Sequence, residues 1–510
     1  MALRLYSLMS MTTLKRRDFL KGALATQILA GQAILTTALS AHADSVTGLP
    51  LAELQKRLAL SKSAAQSLLL FPSDSQFAAY QISFNKRTAK LPQARCLPVN
   101  VQGVVIAVKW AREFNVEFAV RGRGHSYEGY SQSNGLVIDL RLMSDLKFNP
   151  ENGRISVGGG AQLIDIYSYL SQYGMAIPAG SCPSVGVGGH TLGGGFGLIG
   201  RKFGLACDNV VGLEMVDASG AVLAVSAVEN PDLFWALRGG GNGNFGIVTR
   251  FIFQAHPVGQ VASFGITWNL PVEAALKVAC AWQEWAPNAP DEITSIFSFQ
   301  KKSGLIRLHA AGVTLGSLDD LKKQLAALVT GDKPVSFTVA PMSFMDMVLK
   351  FGGRTAYESI FMKAKSDYMF KPMTDDGLRT LMNALIAAPS LVSAMFDSYG
   401  GAISRKKNDS TAFAHRESAQ YSIQYYTQWA TPAEADAHMA SIRGIYSAMR
   451  TYVSGQCYVN YCDLDLPDGP AAYWGLNLAR LMKIKAVVDP TNFFKHAQSL
   501  PVAQSSIQPG

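Results

Sequence analysis

Two stretches of this chain set a nucleophilic side chain on backbone that is almost bare. The first is residues 180–209, GSCPSVGVGGHTLGGGFGLIGRKFGLACDN, where ten glycines fall between Gly180 and Gly204 and one thiol, Cys182, stands near the start. Glycine allows close backbone approach and leaves N–H groups exposed to an anion, so such a ribbon can lie against a large flat or phosphate-bearing ligand. A run of tight turns has the same composition. The second stretch is RGRGHSYEGY at 121–130, in which an expected strand at 116–121 runs into a glycine-flanked loop that presents His125.

The surrounding pattern supplies the elements that must hold these two loops. Residues 50–70 and 101–114 read as helices and 136–141 as a strand. The segment ISVGGG at 155–160 precedes a helix expected at 161–173, an order of strand, glycine-rich turn and helix that suits a phosphate. Beyond the long glycine stretch, 210–226 reads as a hairpin turning at Ala218–Gly220, 230–238 as a short capped helix, 239–246 as a second glycine-rich loop and 247–254 as a strand. His256-Pro257 closes this first domain. A dinucleotide-binding Rossmann fingerprint is not met, because the glycines come late and no acidic residue follows a first strand at the required spacing.

From Val258 to about Asp465 the texture changes to longer strands, at 263–269, 293–300, 305–313, 391–398, 421–429 and 457–461, with helices at 319–329, 375–388 and 433–452. An antiparallel sheet with helices on one face is the simplest architecture for that order. A helix at 473–487 and the aromatic-rich turn DPTNFF at 489–494 would return to the first domain. The fold expected is therefore α+β: residues 44–257 bind a ligand, 258–465 form a second domain, and 466–510 pack back on the first.

Length and composition fit this plan. With 510 residues, 48% hydrophobic and 16% charged, the chain can build two cores. Of the formal charge of +9, residues 1–43 hold +4, and the remaining +5 is too mild and too scattered for nucleic-acid binding. Arg405-Lys406-Lys407 reads as a solvated loop. At the N-terminus, KRRDFLK at 15–21 resembles a twin-arginine export signal, followed by an uncharged stretch at 22–41 and a small-residue cleavage site at 41–43. Twenty uncharged residues also suit an anchor. Their dilution by Thr, Gln, Ser and Gly favours cleavage and a periplasmic or secreted product. The six cysteines, Cys96, Cys182, Cys207, Cys280, Cys457 and Cys462, show neither metal-ligand spacing nor a disulfide framework. Cys457 and Cys462 would face opposite sides of a strand.

Taken together, the motifs RGRGHSYEG at 121–129, GSCPSVGVGGHTLGGG at 180–195, AFAHR at 412–416, IQY at 423–425, YVNYCDLD at 458–465 and YWGLN…VVDPTNFF at 473–494 resemble the berberine-bridge-enzyme-like group of the vanillyl-alcohol-oxidase flavoproteins. The resemblance runs from about Leu91 to Pro501. It implies a PCMH-type FAD-binding domain and a substrate domain, with FAD attached twice, through His125 and Cys182. It further implies flavin contacts from Gly122, Gly124, Ser126, Gly186, Gly188, Gly189, His190, Gly193 and Val248, with Asn477 near the pyrimidine end. Arg123 departs from the smaller residue commoner beside that glycine.

The same resemblance implies an oxidase that takes a hydride from an alcohol or hemiacetal onto flavin N5 and reduces dioxygen to hydrogen peroxide. The substrate could be the reducing end of a saccharide, or else a phenolic alcohol or secondary metabolite. Tyr461 is the first candidate for the base, on condition that the site lowers its pKa or that it passes its proton on, and Asp397 in FDSYGG could orient or assist it. Gln424 stands where some relatives carry a glutamate base, which argues against alkaloid cyclisation. Tyr127, Tyr425 and Tyr426 could stack on a substrate ring, and His415 reads as structural. Val185 falls at the family's oxygen gate, where a small residue admits dioxygen. A reading from another class is a secreted flavin-containing binding protein without turnover. It would predict a degraded substrate side.

Overall fold

The computed structural model describes residues 48–64, 66–353 and 359–502, and the described residues from Leu51 onward pack as one compact unit. The expected export signal and its cleavage site lie outside the described residues. Three sheets carry the architecture. A four-stranded sheet runs in the order Leu68–Leu70, Ala94–Leu97, Leu136–Asp139 and Phe118–Arg121, with its last three strands parallel. An antiparallel five-stranded sheet runs Leu146–Asn149, Arg154–Gly158, Ile247–Gln254, Val210–Val216 and Val222–Val225. The third is a seven-stranded antiparallel sheet in the order Ser336–Met342, Val261–Leu270, Leu305–Thr314, Ile293–Lys302, Ser393–Ser398, Tyr421–Trp429 and Phe361–Met369.

Strand alternation divides the large sheet into two chemically different faces. Phe297, Phe299, Ala394, Phe396, Tyr421, Ile423 and Tyr425 point to one side and pack under the helices Val272–Asn288, Asp375–Ala387 and Ala435–Met449. Their strand neighbours Ile296, Asp397, Ser422 and Gln424 fall on the other side. That parity decides which residues of the second domain can meet a ligand.

Several elements differ from the sequence expectation. The first helix stops at Leu60, and Leu68–Leu70 is a strand. Residues 457–461 form no strand: Val459–Tyr461 is a single helical turn, and Cys457 and Cys462 remain separate thiols. Two strands and two helices had no clear sequence signal: Ser336–Met342, Phe361–Met369, Val272–Asn288 and Phe344–Gly352. Among the described residues, no helix is long and apolar enough to cross a membrane.

Candidate active site

The glycine stretch, the His125 loop and the second glycine-rich loop converge on one cavity of about 350 Å³, and eleven of its lining residues are glycines. His125 and Cys182 both line it, as do Gly122, Gly124, Ser126, Val185, Gly186, Gly188, Gly189, His190 and Val248. Each loop is shaped by a local necessity. Gly124 has φ +73°, and a side chain there would run into the Arg121 guanidinium, so only glycine lets the chain turn His125 inward. Arg123, the unusual residue of this loop, donates from Nε to the Gly160 carbonyl at 2.6 Å and ties the loop to the turn after Arg154–Gly158.

His125 stacks on Phe84 with ring centroids 4.7 Å apart, and its Nε2 lies 3.0 Å from Ser184 Oγ. Burial, reinforced by the charge of Arg121, pushes the imidazole down to about pKa 3, so at neutral pH its basic nitrogen keeps a lone pair. His190 sits at about 4, again through burial. Its Nε2 accepts the Gly180 amide at 3.0 Å, which places the ring proton on Nδ1 and pins the segment that carries Cys182. From the opposite side, the Tyr167 hydroxyl donates to the Gly180 carbonyl at 2.8 Å. Cys182 opens onto the cavity, yet the mass of protein around it raises its thiol above the usual range, so the group is held as SH.

The wall fits a large planar nucleotide cofactor. At Gly122 and Gly189 an added Cβ would meet no protein atom nearer than 4.0 and 3.7 Å, so the room their missing side chains leave belongs to the cavity itself. The remaining lining offers backbone amides, three neutral imidazoles (His125, His190 and His496), the thiols of Cys182 and Cys462, and two basic side chains, Arg123 and Lys495, a donor set suited to a ring system and a pyrophosphate.

The substrate-side residues meet this cavity from the large sheet and from the Tyr458–Cys462 segment. Tyr461 and Asp397 both line it. The Tyr461 ring lies parallel to that of Tyr127, with 1° between planes and 5.8 Å between centroids, and Tyr458 meets its edge at 4.9 Å. Burial, and next the Asp397 charge, raise the Tyr461 phenol well above its usual pKa. The environment therefore keeps the phenol protonated, so of the two conditions set for Tyr461 the one that fits is passing its proton on rather than resting as a phenolate. Asp397 is different. Its cross-strand neighbours are Ile296 and Ser422, its hydrogen bond from Ser422 Oγ is long at 3.4 Å, and burial brings the carboxyl up to about 7. A carboxyl that titrates near neutrality on a cavity wall is the better-matched proton acceptor.

Three expected site residues lie off the cavity wall. Asn477 is absent from the cavity wall: its Nδ2 donates to the carbonyls of Asn408, Thr411 and Ala412 and fastens that loop. Gly193 is also off the wall, because a Cβ there would strike the Asn460 amide, so this glycine serves close packing. Gln424 reaches the cavity only through Tyr127, to whose hydroxyl it donates at 3.1 Å. Tyr425 faces the helix-covered side and cannot touch a ligand, and His415 packs against Tyr368 at 4.4 Å.

Residues that the sequence reading passed over complete the site. The Tyr458 hydroxyl accepts the Gly195 and Phe196 amides at 3.0 and 3.3 Å, and Asn460 Nδ2 donates to the His190 carbonyl at 2.9 Å. These two side chains lock the Tyr461 turn onto the glycine stretch. Behind the wall, buried Lys363 bridges Glu128 and Asp463, each at 2.5 Å or thereabouts, and Lys365 holds Asp463 at 2.7 Å. Glu128 follows Tyr127 and Asp463 lies two residues beyond Tyr461, so one ion network fixes both members of the parallel pair.

Comparison with known proteins agrees with this geometry. The sequence model described as "FAD binding domain" matches residues 92–226, and that described as "Berberine and berberine like" matches residues 457–501. The chain is 36% identical over 454 residues to the "Uncharacterized FAD-linked oxidoreductase YgaK" of Bacillus subtilis, covering 88% of this chain and all of that protein. Among solved structures it is similar to the wild-type BBE-like 1 of Physcomitrella patens, with TM-score 0.81, 31% identity and coverage of 89% of this chain and 99% of the other. It is also similar to a chitooligosaccharide oxidase, with TM-score 0.80, 26% identity and coverage of 88% and 100%.

Proposed function

This chain belongs to the berberine-bridge-enzyme-like FAD-linked oxidoreductases, and from that premise we propose that it is an oxidase of a saccharide hemiacetal or a related alcohol, with Asp397 as proton acceptor. The observation that carries this reading is the placement of Asp397: a carboxyl with pKa about 7 on the cavity wall, with an apolar and a hydroxyl neighbour. When bound, FAD supplies the hydride acceptor and passes the electrons on to dioxygen. The substrate CH–OH becomes a carbonyl, and the two electrons and two protons it loses convert dioxygen to hydrogen peroxide.

The chain's own groups have separable tasks. His125 and Cys182 offer a neutral imidazole and a thiol as the two covalent attachment points, and the glycine wall admits the cofactor close to backbone. Tyr461, kept protonated, hydrogen-bonds the substrate hydroxyl and orients it, while Asp397 receives the hydroxyl proton. Tyr127, braced by Gln424, forms the flat surface beside Tyr461. Val185, on the cavity wall, is assigned the part of admitting dioxygen. The saccharide class is supported by the likeness to a chitooligosaccharide oxidase. In the same reading the N-terminal signal sends the folded enzyme through the twin-arginine machinery to the periplasm or beyond, without stable membrane insertion.

The test is a screen of oligosaccharides and phenolic alcohols for peroxide release, paired with anaerobic bleaching of the flavin. Bleaching and peroxide with oligosaccharides bear out the proposal. Preference for phenolic alcohols moves the substrate class, bleaching without peroxide in air makes the protein a dehydrogenase, and no bleaching at all leaves a binding protein.

A further inference from the structure

Four rings stand in one run between the two sides of the site. His125 stacks on Phe84 at 4.7 Å with 21° between planes, Phe84 on Tyr127 at 6.2 Å and 26°, and Tyr127 on Tyr461 at 5.8 Å and 1°. Of the four, only Phe84 comes from outside both the His125 loop and the Tyr458–Cys462 segment, and it too lines the cavity.

The backbone under Phe84 is fixed on two sides. Its amide donates to the Gly124 carbonyl at 3.0 Å, and its carbonyl accepts the Ile360 amide at 2.8 Å, where the strand Phe361–Met369 begins. The next residue, Asn85, is fully buried. Its Nδ2 donates to the carbonyls of Tyr127 at 2.6 Å and Met362 at 3.2 Å, and its Oδ1 accepts the Met362 amide at 3.3 Å. Phe84 and Asn85 thus clamp the His125 loop to the large sheet. They brace a loop that turns through positive φ at Gly124 and Gly129, where the bare backbone gives neighbouring side chains little support.

The imidazole has two holds of different kinds. Ser184 Oγ meets one edge atom, Nε2, at 3.0 Å. A hydrogen bond at that atom still lets the ring turn about the line from Cγ to Nε2, and a flat partner on the ring face stops the turn. We propose that Phe84 is the positioning residue for cofactor attachment at His125, holding the imidazole plane in place while the bond forms. The inference rests on the reading that His125 is an attachment point. Attachment joins an imidazole nitrogen to a methyl carbon of the flavin ring; each partner gives up one hydrogen, and dioxygen takes the two protons and two electrons as hydrogen peroxide. Misorientation of a reacting group slows such a step by about tenfold to a hundredfold.

The test uses the full chain purified with its flavin in a Cys182→Ala background, where flavin that survives acid reports His125 alone. Phe84→Leu keeps apolar bulk and loses the flat ring. The expected result is acid-stable flavin lower by about tenfold as a fraction of total bound flavin, with total flavin retained. Phe84→Tyr keeps the ring and should match the Cys182→Ala parent. If Phe84→Leu lowers total flavin but leaves the linked fraction unchanged, Phe84 only fills space and the proposal falls. It falls equally if Phe84→Tyr loses the link as Phe84→Leu does. Should Phe84→Leu not fold, Phe84→Met is read in the same way. A Cys182→Ala parent without acid-stable flavin refutes attachment at His125 and the proposal with it, whereas a linked parent with indifferent Phe84 variants leaves His125 in its role and overturns the part given to Phe84.

Discussion

The two walls of the cavity use one physical force to opposite ends. On the glycine side, burial drives His125 to about pKa 3 and His190 to about 4, so both imidazoles are neutral at every physiological pH and act through lone pair and hydrogen bond. On the sheet side, burial raises Asp397 to about 7, which brings a carboxyl into the range where it can exchange a proton. Desolvation thus silences the imidazoles of one wall and tunes a carboxyl on the other. The glycine side is built from loops that carry their role as glycine, at 121–130, 180–198 and 241–248, whereas the sheet side brings Asp397 and Tyr461 together from segments without such a signature.

Removing the glycine-side nucleophiles should have the largest effect. In the double variant His125→Ala, Cys182→Ala, all acid-stable flavin is expected to disappear from the precipitated protein, while each single variant keeps some. Flavin absorbance of the acid pellet, with intact-protein mass, checks this. If the double variant keeps acid-stable flavin, the attachment sites lie elsewhere.

Next comes the sheet-side acceptor. Asp397→Asn should slow anaerobic flavin reduction by about 10²–10⁴ with FAD content unchanged. In the wild type, that rate should rise with pH through an inflection near 7, the value at which the carboxyl ionises, and the variant should lose the inflection. The sign for stability runs the other way. A carboxyl raised from 3.8 to about 7 favours the fold below its ordinary pKa, and that contribution fades as pH climbs toward 7. Asp397→Asn should therefore flatten the decline in melting temperature between pH 4 and 7, a difference of up to about 4 kcal/mol.

The network that couples the two walls comes third. Lys363→Met leaves Glu128 and Asp463 buried with a lost partner, and the expected destabilisation is about 3–5 kcal/mol by denaturant titration. A value near zero would mean that Lys365 and Arg87 carry those carboxylates alone. The smallest effect is expected from Tyr127→Phe, which frees the Gln424 amide but keeps the ring beside Tyr461. A rise in KM of about twofold to fivefold with nearly constant kcat would fit a binding surface. A collapse of kcat would assign Tyr127 a part in proton transfer.

What the sequence made legible follows the same division. The glycine wall could be read from residues 121–130 and 180–195 because backbone approach is written directly as glycine, and all but Gly193 and Asn477 of the expected cofactor contacts line the cavity. Those two belong to motifs near the site but face away from it, which only packing decides. Proline and charge hid several elements of the second domain. Ser336–Met342 carries Pro341 and lies at a sheet edge, where proline is tolerated, and the helix Val272–Asn288 contains Pro287. Phe361–Met369 places Lys363, Lys365 and Asp367 in a buried strand, a pattern that reads as surface until Glu128, Asp463 and Arg450 are seen to neutralise it. The pKa of Tyr461 was beyond sequence altogether, since it depends on how Asp397, Tyr127 and Tyr458 crowd the phenol.

The central claim is that a cofactor wall whose imidazoles are held neutral faces an ionisable proton acceptor in one working oxidase site. Stopped-flow reduction by an oligosaccharide without oxygen, followed by admission of air, tests it most directly. The account predicts full bleaching with an inflection near pH 7, then recovery of the flavin with one equivalent of hydrogen peroxide. Bleaching whose rate is indifferent to both pH and Asp397→Asn, or recovery without peroxide, would contradict it.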